Sequence, residues 1–425
     1  MRSQPVATTP YGADAPFADY ARGRTTLVLL TLVFTMHYVD RQILAVLIPP
    51  IKAEFGVSDT TLGLLSGFAF TALFSVVGLA MARLADRVDR ARVIAAALAT
   101  FTVATALCGA VTAFWQLVAM RVVVGIGEGG TNPPSHALIA DLYPMQRRAA
   151  AMGIYSIGPY VGLALAFGAG ASLSQAFGWR AAYVVVGGLG IALVLAVATL
   201  LRDPRAAVAS RVAPPVVPAL VAVRAMWTSP ALRHLLLAAT LATAAAQGMA
   251  TWMPAWLVRD HGLALERAGI FLALVFGLAG TGAMIGFGRL VDAASWRRPA
   301  RKPLLTAACM TMSALLWLPP LLATSTPLAL ALLVLPAALT GTYIGATLAM
   351  IQDRVDPHAR AFSAAVFLAV TNLVGAGCGP LLVGMASDAW MGHAPGRALS
   401  LALLAVPVLL LWSALHFALV ARARA

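Results

Sequence analysis

Twelve stretches of the chain, each about the length of a bilayer-spanning helix and nearly free of charge, constrain its fold more than any other feature. They fall near residues 25–48, 61–83, 93–112, 115–139, 149–172, 180–201, 234–257, 268–290, 303–322, 327–351, 362–386 and 399–420. Membrane strands alternate apolar and polar residues, so runs this continuous exclude a barrel and leave only helices, whose backbone is satisfied within each segment. The fold class predicted is an all-α membrane protein with twelve transmembrane helices. Composition agrees: 60% of the 425 residues are hydrophobic, 11% are charged, and the mean hydropathy is +0.85. Those values lie outside the range of soluble domains.

A net charge of +14 in a soluble chain would point to nucleic acid, so its distribution decides the matter. With the N-terminus placed in the cytosol, 23 Lys and Arg residues fall on the inner side and five, Lys52, Arg180, Arg259, Arg267 and Arg397, on the outer; Arg41 and Arg121 inside the membrane complete the 30. That is a positive-inside bias. It predicts a multi-pass protein of the inner or plasma membrane with both termini cytoplasmic, and the partner it implies is the lipid bilayer, with no nucleic acid. Residues 1–24 contain Pro5, Pro10 and Pro16 and no apolar core of signal-peptide length, and read as a cytosolic tail.

The chain divides near its middle at a polar, Arg- and Pro-rich linker, 202–233. On either side lie six-span units, 25–201 and 234–421, followed by a short cytosolic end, 422–425. The loops after spans 2 and 8 match (Ala82-Arg-Leu-Ala-Asp86-Arg87 against Gly288-Arg-Leu-Val-Asp292-Ala), as do those after spans 4 and 10 (Leu142-Tyr-Pro144-Met-Gln-Arg147-Arg against Val355-Asp-Pro357-His-Ala-Arg360-Ala). An internal duplication follows, giving two pseudo-symmetric six-helix bundles. Repeat-built membrane folds of this kind place a transport site at the interface of the repeats. Gly63-xxx-Gly67 and Gly282-xxx-Gly286 are small-residue pairs that permit close helix approach, and Gly158-Pro159 and Gly379-Pro380 predict kinks in spans 5 and 11.

Four charges stand inside otherwise apolar spans: Asp40 and Arg41 in span 1, Arg121 and Glu128 in span 4. An ionised group at mid-bilayer costs roughly 2.5–3.5 kcal/mol on insertion scales, so these residues are expected to pair with one another or to face water. Counting about 1.5 Å per residue from the outer ends, Arg121 and Asp40 lie at similar depth and are candidates for an ion pair, and Glu128 lies deeper. On one continuous helix Arg121, Gly125, Glu128 and Asn132 share a face. Glu128 is the first candidate for a proton carrier, because desolvation favours a neutral carboxyl and an approaching cation favours the ionised one. Asp40 and His37, on the same side of span 1, are grouped with it in proton coupling. Arg41 and Arg121 are switching partners of Glu128 or anchors for an anionic headgroup, since guanidinium binds carboxylate and phosphate through a two-pronged fork. Spans 7 and 10 offer no charge but supply Gln247, Trp252 and Tyr343 as candidate substrate contacts. Tyr155 is a further candidate for lining a gate.

Together the spans, the duplication and the loop motifs resemble the major facilitator superfamily over essentially the whole chain. Tyr38-Val-Asp40-Arg41 and Arg121-Val-Val-Val-Gly125-Ile-Gly127-Glu128 resemble its Spinster branch, although the loop motif after span 2 lacks both of the family's glycines. The resemblance implies alternating access with spans 1, 4, 7 and 10 around a central cavity, and a lysophospholipid or sphingoid substrate with protons as the coupling ion. It also implies a cytosolic gate formed by Asp86, Arg87, Arg90 and Arg147, with Gly288 and Asp292 in the second half. The expected partners are thus a small-molecule or lysolipid substrate and protons, with the chain a monomer. The alternatives are proton-driven drug efflux by antiport and a non-transporting receptor or scaffold. No phosphate-binding loop is present, and Gly125-Ile-Gly127-Glu-Gly-Gly130 lies inside a span without the preceding strand a dinucleotide loop needs. Cys108, Cys309 and Cys378 lack metal-ligand spacing. No enzyme activity, cofactor or metal is predicted.

Overall fold

The computed structural model describes residues 18–85, 88–203, 224, 226–295, 301–355 and 360–423. Most of the expected tail 1–24 and linker 202–233 therefore lies outside the described residues, as do Asp86 and Arg87. Among the described residues there are twelve membrane-crossing elements. In the first half they are α1 (Ala18–Phe55), α2 (Asp59–Leu64 continuing to Phe70–Ala85), α3 (Arg90–Cys108), α4 (Phe114–Gly129 and Asn132–Leu142), α5 (Met145–Tyr155 and Gly158–Phe177) and α6 (Trp179–Leu200). The second half comprises α7 (Pro230–Arg259), α8 (Leu265–Leu274 continuing to Thr281–Ser295), α9 (Arg301–Leu322), α10 (Thr326–Thr340 and Tyr343–Gln352), α11 (Arg360–Val370 continuing to Gly377–Met391) and α12 (Ala398–Leu403 and Ala405–Arg422). Eleven of these are long and apolar enough to qualify as spans on length and hydropathy. The twelfth is the charge-bearing α4, which crosses in two pieces.

Helix α1 extends seven residues beyond each end of the apolar run and, at 38 residues, is about 57 Å long. Apolarity marks only the part in hydrocarbon, and nothing in Pro49-Pro50-Ile-Lys-Ala-Glu-Phe stops the helix until the left-handed Gly56.

The break in α4 has a local cause. Gly129, Gly130 and Thr131 lie ahead of Asn132-Pro133-Pro134, and prolines lack the N–H that a continuing helix requires, so the chain turns and restarts with Pro133 in its first turn. The same break recurs in α10 at Gly341-Thr342, the equivalent place in the duplicated half. Asn132 therefore does not continue the Arg121–Glu128 face; it opens the second piece of α4, as Tyr343 opens the second piece of α10. Helices α2, α8 and α11 each pass through a widened π turn, at Leu65–Ala69, Val275–Gly280 and Thr371–Ala376. Such turns re-aim a helix without ending it.

The two halves meet mainly through α2 against α11 and α5 against α8. At the end of the molecule opposite the chain termini this contact is tight. A Cβ at Gly63 or Gly67 would collide with the backbone of Pro380 or Gly377 in α11, and one at Gly269 with that of Phe167 in α5. At the other end, Gly282, Gly286 and Gly288 of α8 have open space beside them. Among the described residues the tight approach of the two halves is thus at the end away from the termini. Its outer surface carries apolar side chains such as Leu189, Leu195, Leu335 and Leu415, as a bilayer-facing surface requires.

Candidate functional site

Inside the first half, α1 and α4 bring four titratable side chains into one buried cluster, with α3 packed against it. His37, Asp40, Arg121 and Glu128 are each at most 2% exposed. Arg121 Nη1 donates to Asp40 Oδ2 at 3.1 Å and to the Asp40 carbonyl at 3.3 Å. Thr105 of α3 donates its hydroxyl to the other Asp40 oxygen. The ion pair anticipated from equal depth is therefore present, with a third helix holding it. Breaking a buried pair of this kind strands a charge and costs about 3–5 kcal/mol. Tyr183 of α6 brings a further buried hydroxyl that has no hydrogen-bond partner among the described residues.

Glu128 is different. Its oxygens accept no well-formed hydrogen bond among the described residues; His37 Nε2 lies 3.2 Å from Oε2, and the Asp40 carboxyl is a second polar neighbour. His37 is itself wedged among Phe34, Tyr38 and Phe74, with ring centroids 5.5–5.9 Å away, and its Nδ1 is also unpartnered. An ionised carboxylate in such surroundings needs a cation brought to it, whereas the acid form does not.

Arg41 is the available cation. It is half-buried, makes no hydrogen bond or ion pair among the described residues, and lies 5.5 Å from the Phe70 ring centroid. Arg121 lies 5.4 Å from the same ring. Phe70 thus positions both guanidinium groups through cation–π contact.

The remaining predicted site residues are spread around this cluster. Asn132 Oδ1 accepts from Tyr155 Oη at 3.0 Å, which ties α4 to α5. In the second half Gln247 is half-buried, and Tyr343 shares a 2.7 Å hydrogen bond with Thr243. Trp252 differs from the expectation of a substrate contact: it is fully buried and donates to the Pro380 carbonyl at 2.8 Å, packing α7 on α11. A large ring whose only polar atom is satisfied by backbone serves the helix interface in this conformation.

At the end bearing the termini, Arg90 is buried and bonds Asp141 at 2.6 Å, while its own N–H donates to Asp203 at 3.0 Å. Burial pushes the Asp203 carboxyl above its ordinary value, and the Arg90 N–H partly offsets this. Neither of these contacts of Arg90 reaches the second six-span unit. Arg147 is exposed on the first turn of α5, and the Asp292 side chain lies outside the described residues.

The closed end carries a network that sequence reasoning missed. Asp388 of α11 accepts from Asp59 N (3.0 Å), Thr60 N (2.7 Å) and Thr60 Oγ1 (2.6 Å), and so caps the N-terminus of α2 from the opposite half. Asp59 in turn accepts from Arg259 of α7 at 2.9 Å, Ser387 of α11 at 2.6 Å and Lys52 of α1 at 2.5 Å.

A family model described as Major Facilitator Superfamily matches residues 30–380. The chain belongs to the major facilitator superfamily. Within this superfamily of membrane transporters the chain is Spinster-like, as its Asp40-Arg41 and Arg121…Glu128 motifs imply. An "MFS-type efflux pump" of Mycolicibacterium smegmatis is 34% identical over 385 residues, covering 88% of this chain and 87% of that protein. Human protein spinster homolog 1 is 27% identical over 397 residues, covering 86% of this chain and 74% of the human protein. A crystal structure of a bacterial homolog of the human lysosomal transporter Spinster, inward-facing and unoccupied, superposes with a TM-score of 0.83 at 26% identity. It covers 95% of this chain and 97% of that one. The protein is a secondary transporter of the major facilitator superfamily and not an enzyme.

Proposed function

We propose that this transporter is proton-coupled, works by alternating access, and carries an organic anion or a lysolipid-like amphiphile. One observation carries the reading: Glu128 is fully buried beside neutral-capable His37, while Arg41, a cation without a counter-ion among the described residues, stands within electrostatic reach of it. A transported anion that engages Arg41 through its guanidinium fork withdraws that cation from Glu128 and so favours protonation of the carboxyl. Proton and anion then bind together, and by linkage each strengthens the other. That is the logic of a symporter. The Asp40–Arg121 pair, held by Thr105, keeps the neighbouring charge fixed. Asn132, Gln247 and Tyr343 supply polar contacts to the rest of the substrate.

The positive-inside distribution supports placing both termini in the cytoplasm, so the end closed by the tight contact of the two halves would face away from the cytosol, as in an inward-facing transporter. In the opposite state Asp86, Arg87, Arg90 and Arg147, with Gly288 and Asp292, close the cytosolic end. A second reading, drug efflux by antiport, is favoured by the mycobacterial efflux-pump relative. The sign of linkage separates the two: a cationic drug competes with a proton at Glu128, whereas an anion recruits one.

The test is a ligand screen of the purified protein with lysophospholipids, aromatic acids and sugar acids, read as thermal stabilisation together with proton uptake in weakly buffered solution. The proposal expects an anionic ligand to stabilise the protein, with proton uptake at a pH where Glu128 is ionised in the free protein, both lost in Arg41→Gln. Proton release on binding of a cationic ligand supports antiport instead.

A further inference from the structure

A cleft of about 310 Å³ lies away from the charge cluster, where α3 and α6 run side by side at the end that carries the chain termini. Its lining is mixed: the apolar part is Ala91 and Ala95 from α3 with Val197, Ala198 and Leu201 from α6 and its end, and the polar part is Asp89, Arg92 and Arg202. Two arginines stand at its rim. The Arg92 side chain is 85% exposed and only approaches Asp89, at 3.7 Å. Arg202 is exposed and makes no hydrogen bond or ion pair among the described residues. Asp89, which also lines the cleft, accepts from the N–H groups of Ala91 (2.9 Å) and Arg92 (3.3 Å) as the cap of α3. Two guanidinium groups thus face one carboxylate, and the cleft keeps a net positive charge.

Beside the cleft on α6, Leu195 and Leu200 are exposed, as on a lipid-facing helix. Two guanidinium groups at the membrane boundary above a small-residue apolar trough match a molecule with an anionic head and a hydrocarbon tail. A soluble anion has no use for the trough, and a zwitterionic lipid brings a cation to a site that already holds two.

We propose that this cleft is a binding site for an anionic phospholipid, its phosphate between Arg92 and Arg202 and the start of an acyl chain along Ala95 and Ala198. On the orientation proposed above, the occupant is a lipid of the cytosolic leaflet. The occupied site braces α3 against α6 near the Arg90–Asp141–Asp203 contacts, at the end of the first half that carries the chain terminus.

The experiment uses the full chain purified in detergent and delipidated, titrated with phosphatidylglycerol, phosphatidylcholine or inorganic phosphate, and read by native mass spectrometry and thermal melting. Phosphatidylglycerol is expected to bind and to raise the melting temperature, and the other two are not. Arg92→Gln and Arg202→Gln should each weaken phosphatidylglycerol binding roughly five-fold and together about 25-fold. Ala198→Phe, which fills the trough and keeps both charges, should also weaken it, while Arg422→Gln at the same end should not. Equal binding of phosphatidylcholine, equal stabilisation by phosphate alone, or binding unaffected by both the double variant and Ala198→Phe would overturn the assignment.

Discussion

Removing the Asp388 carboxylate should loosen the closed end selectively. In Asp388→Ala three hydrogen bonds from the first turn of α2 are lost, two of them from backbone N–H groups left without an intrahelical partner. Hydrogen bonds to a charged acceptor contribute about 1.5–3 kcal/mol when buried. Asp388 is half-exposed, so about 1 kcal/mol apiece is the reasonable scale, or about 3 kcal/mol in all. Because these bonds join the two halves, the loss acts on the equilibrium between closed and open at this end and shifts it about 100-fold. Spin labels at Ala53 and His393, on a background with Cys108, Cys309 and Cys378 replaced by alanine, report the separation by double electron–electron resonance. The variant should populate a longer distance that the parent lacks, and Thr60→Ala, which removes one of the three bonds, should give a smaller fraction of it. A single short distance in Asp388→Ala, unchanged from the parent, would refute the trans-capping argument.

Asp40→Ala should destabilise the protein by about 3–5 kcal/mol because Arg121 is left charged and buried; the double variant Asp40→Ala/Arg121→Leu should recover much of that, as read by thermal melting. Gly67→Val cannot keep the approach of α2 to Gly377 and should favour opening at that end, measured with the same label pair, whereas Gly286→Val meets open space and should leave that distance unchanged.

The all-α membrane architecture and the duplication were legible because both rest on local signals, namely apolar run length, loop motifs and charge distribution. The pairing of Asp40 with Arg121 was legible too, since a buried charge demands a partner and depth along a helix can be counted. Thr105, Phe70 and Tyr183 were not, because a threonine or an aromatic in an apolar span has no pattern that distinguishes packing from support of a distant charge. The closed-end network was missed for a related reason. Asp59 and Asp388 sit at span ends, where acidic residues are ordinary, and their 329-residue separation joins them only once the two halves are packed. Trp252 was read as a cavity residue from its type, but its ring is consumed by the α7–α11 interface. Asn132 shows the limit of counting along a helix: the face periodicity holds only up to the Gly130–Thr131 break.

The central claim is that Glu128 carries the proton that drives transport. In proteoliposomes, an imposed pH gradient should drive accumulation of the ligand found by the screen in the parent protein. In Glu128→Gln the gradient should drive none, while exchange of labelled for unlabelled ligand, which needs no net proton movement, should continue. Gradient-driven accumulation by Glu128→Gln at the rate of the parent would contradict the account.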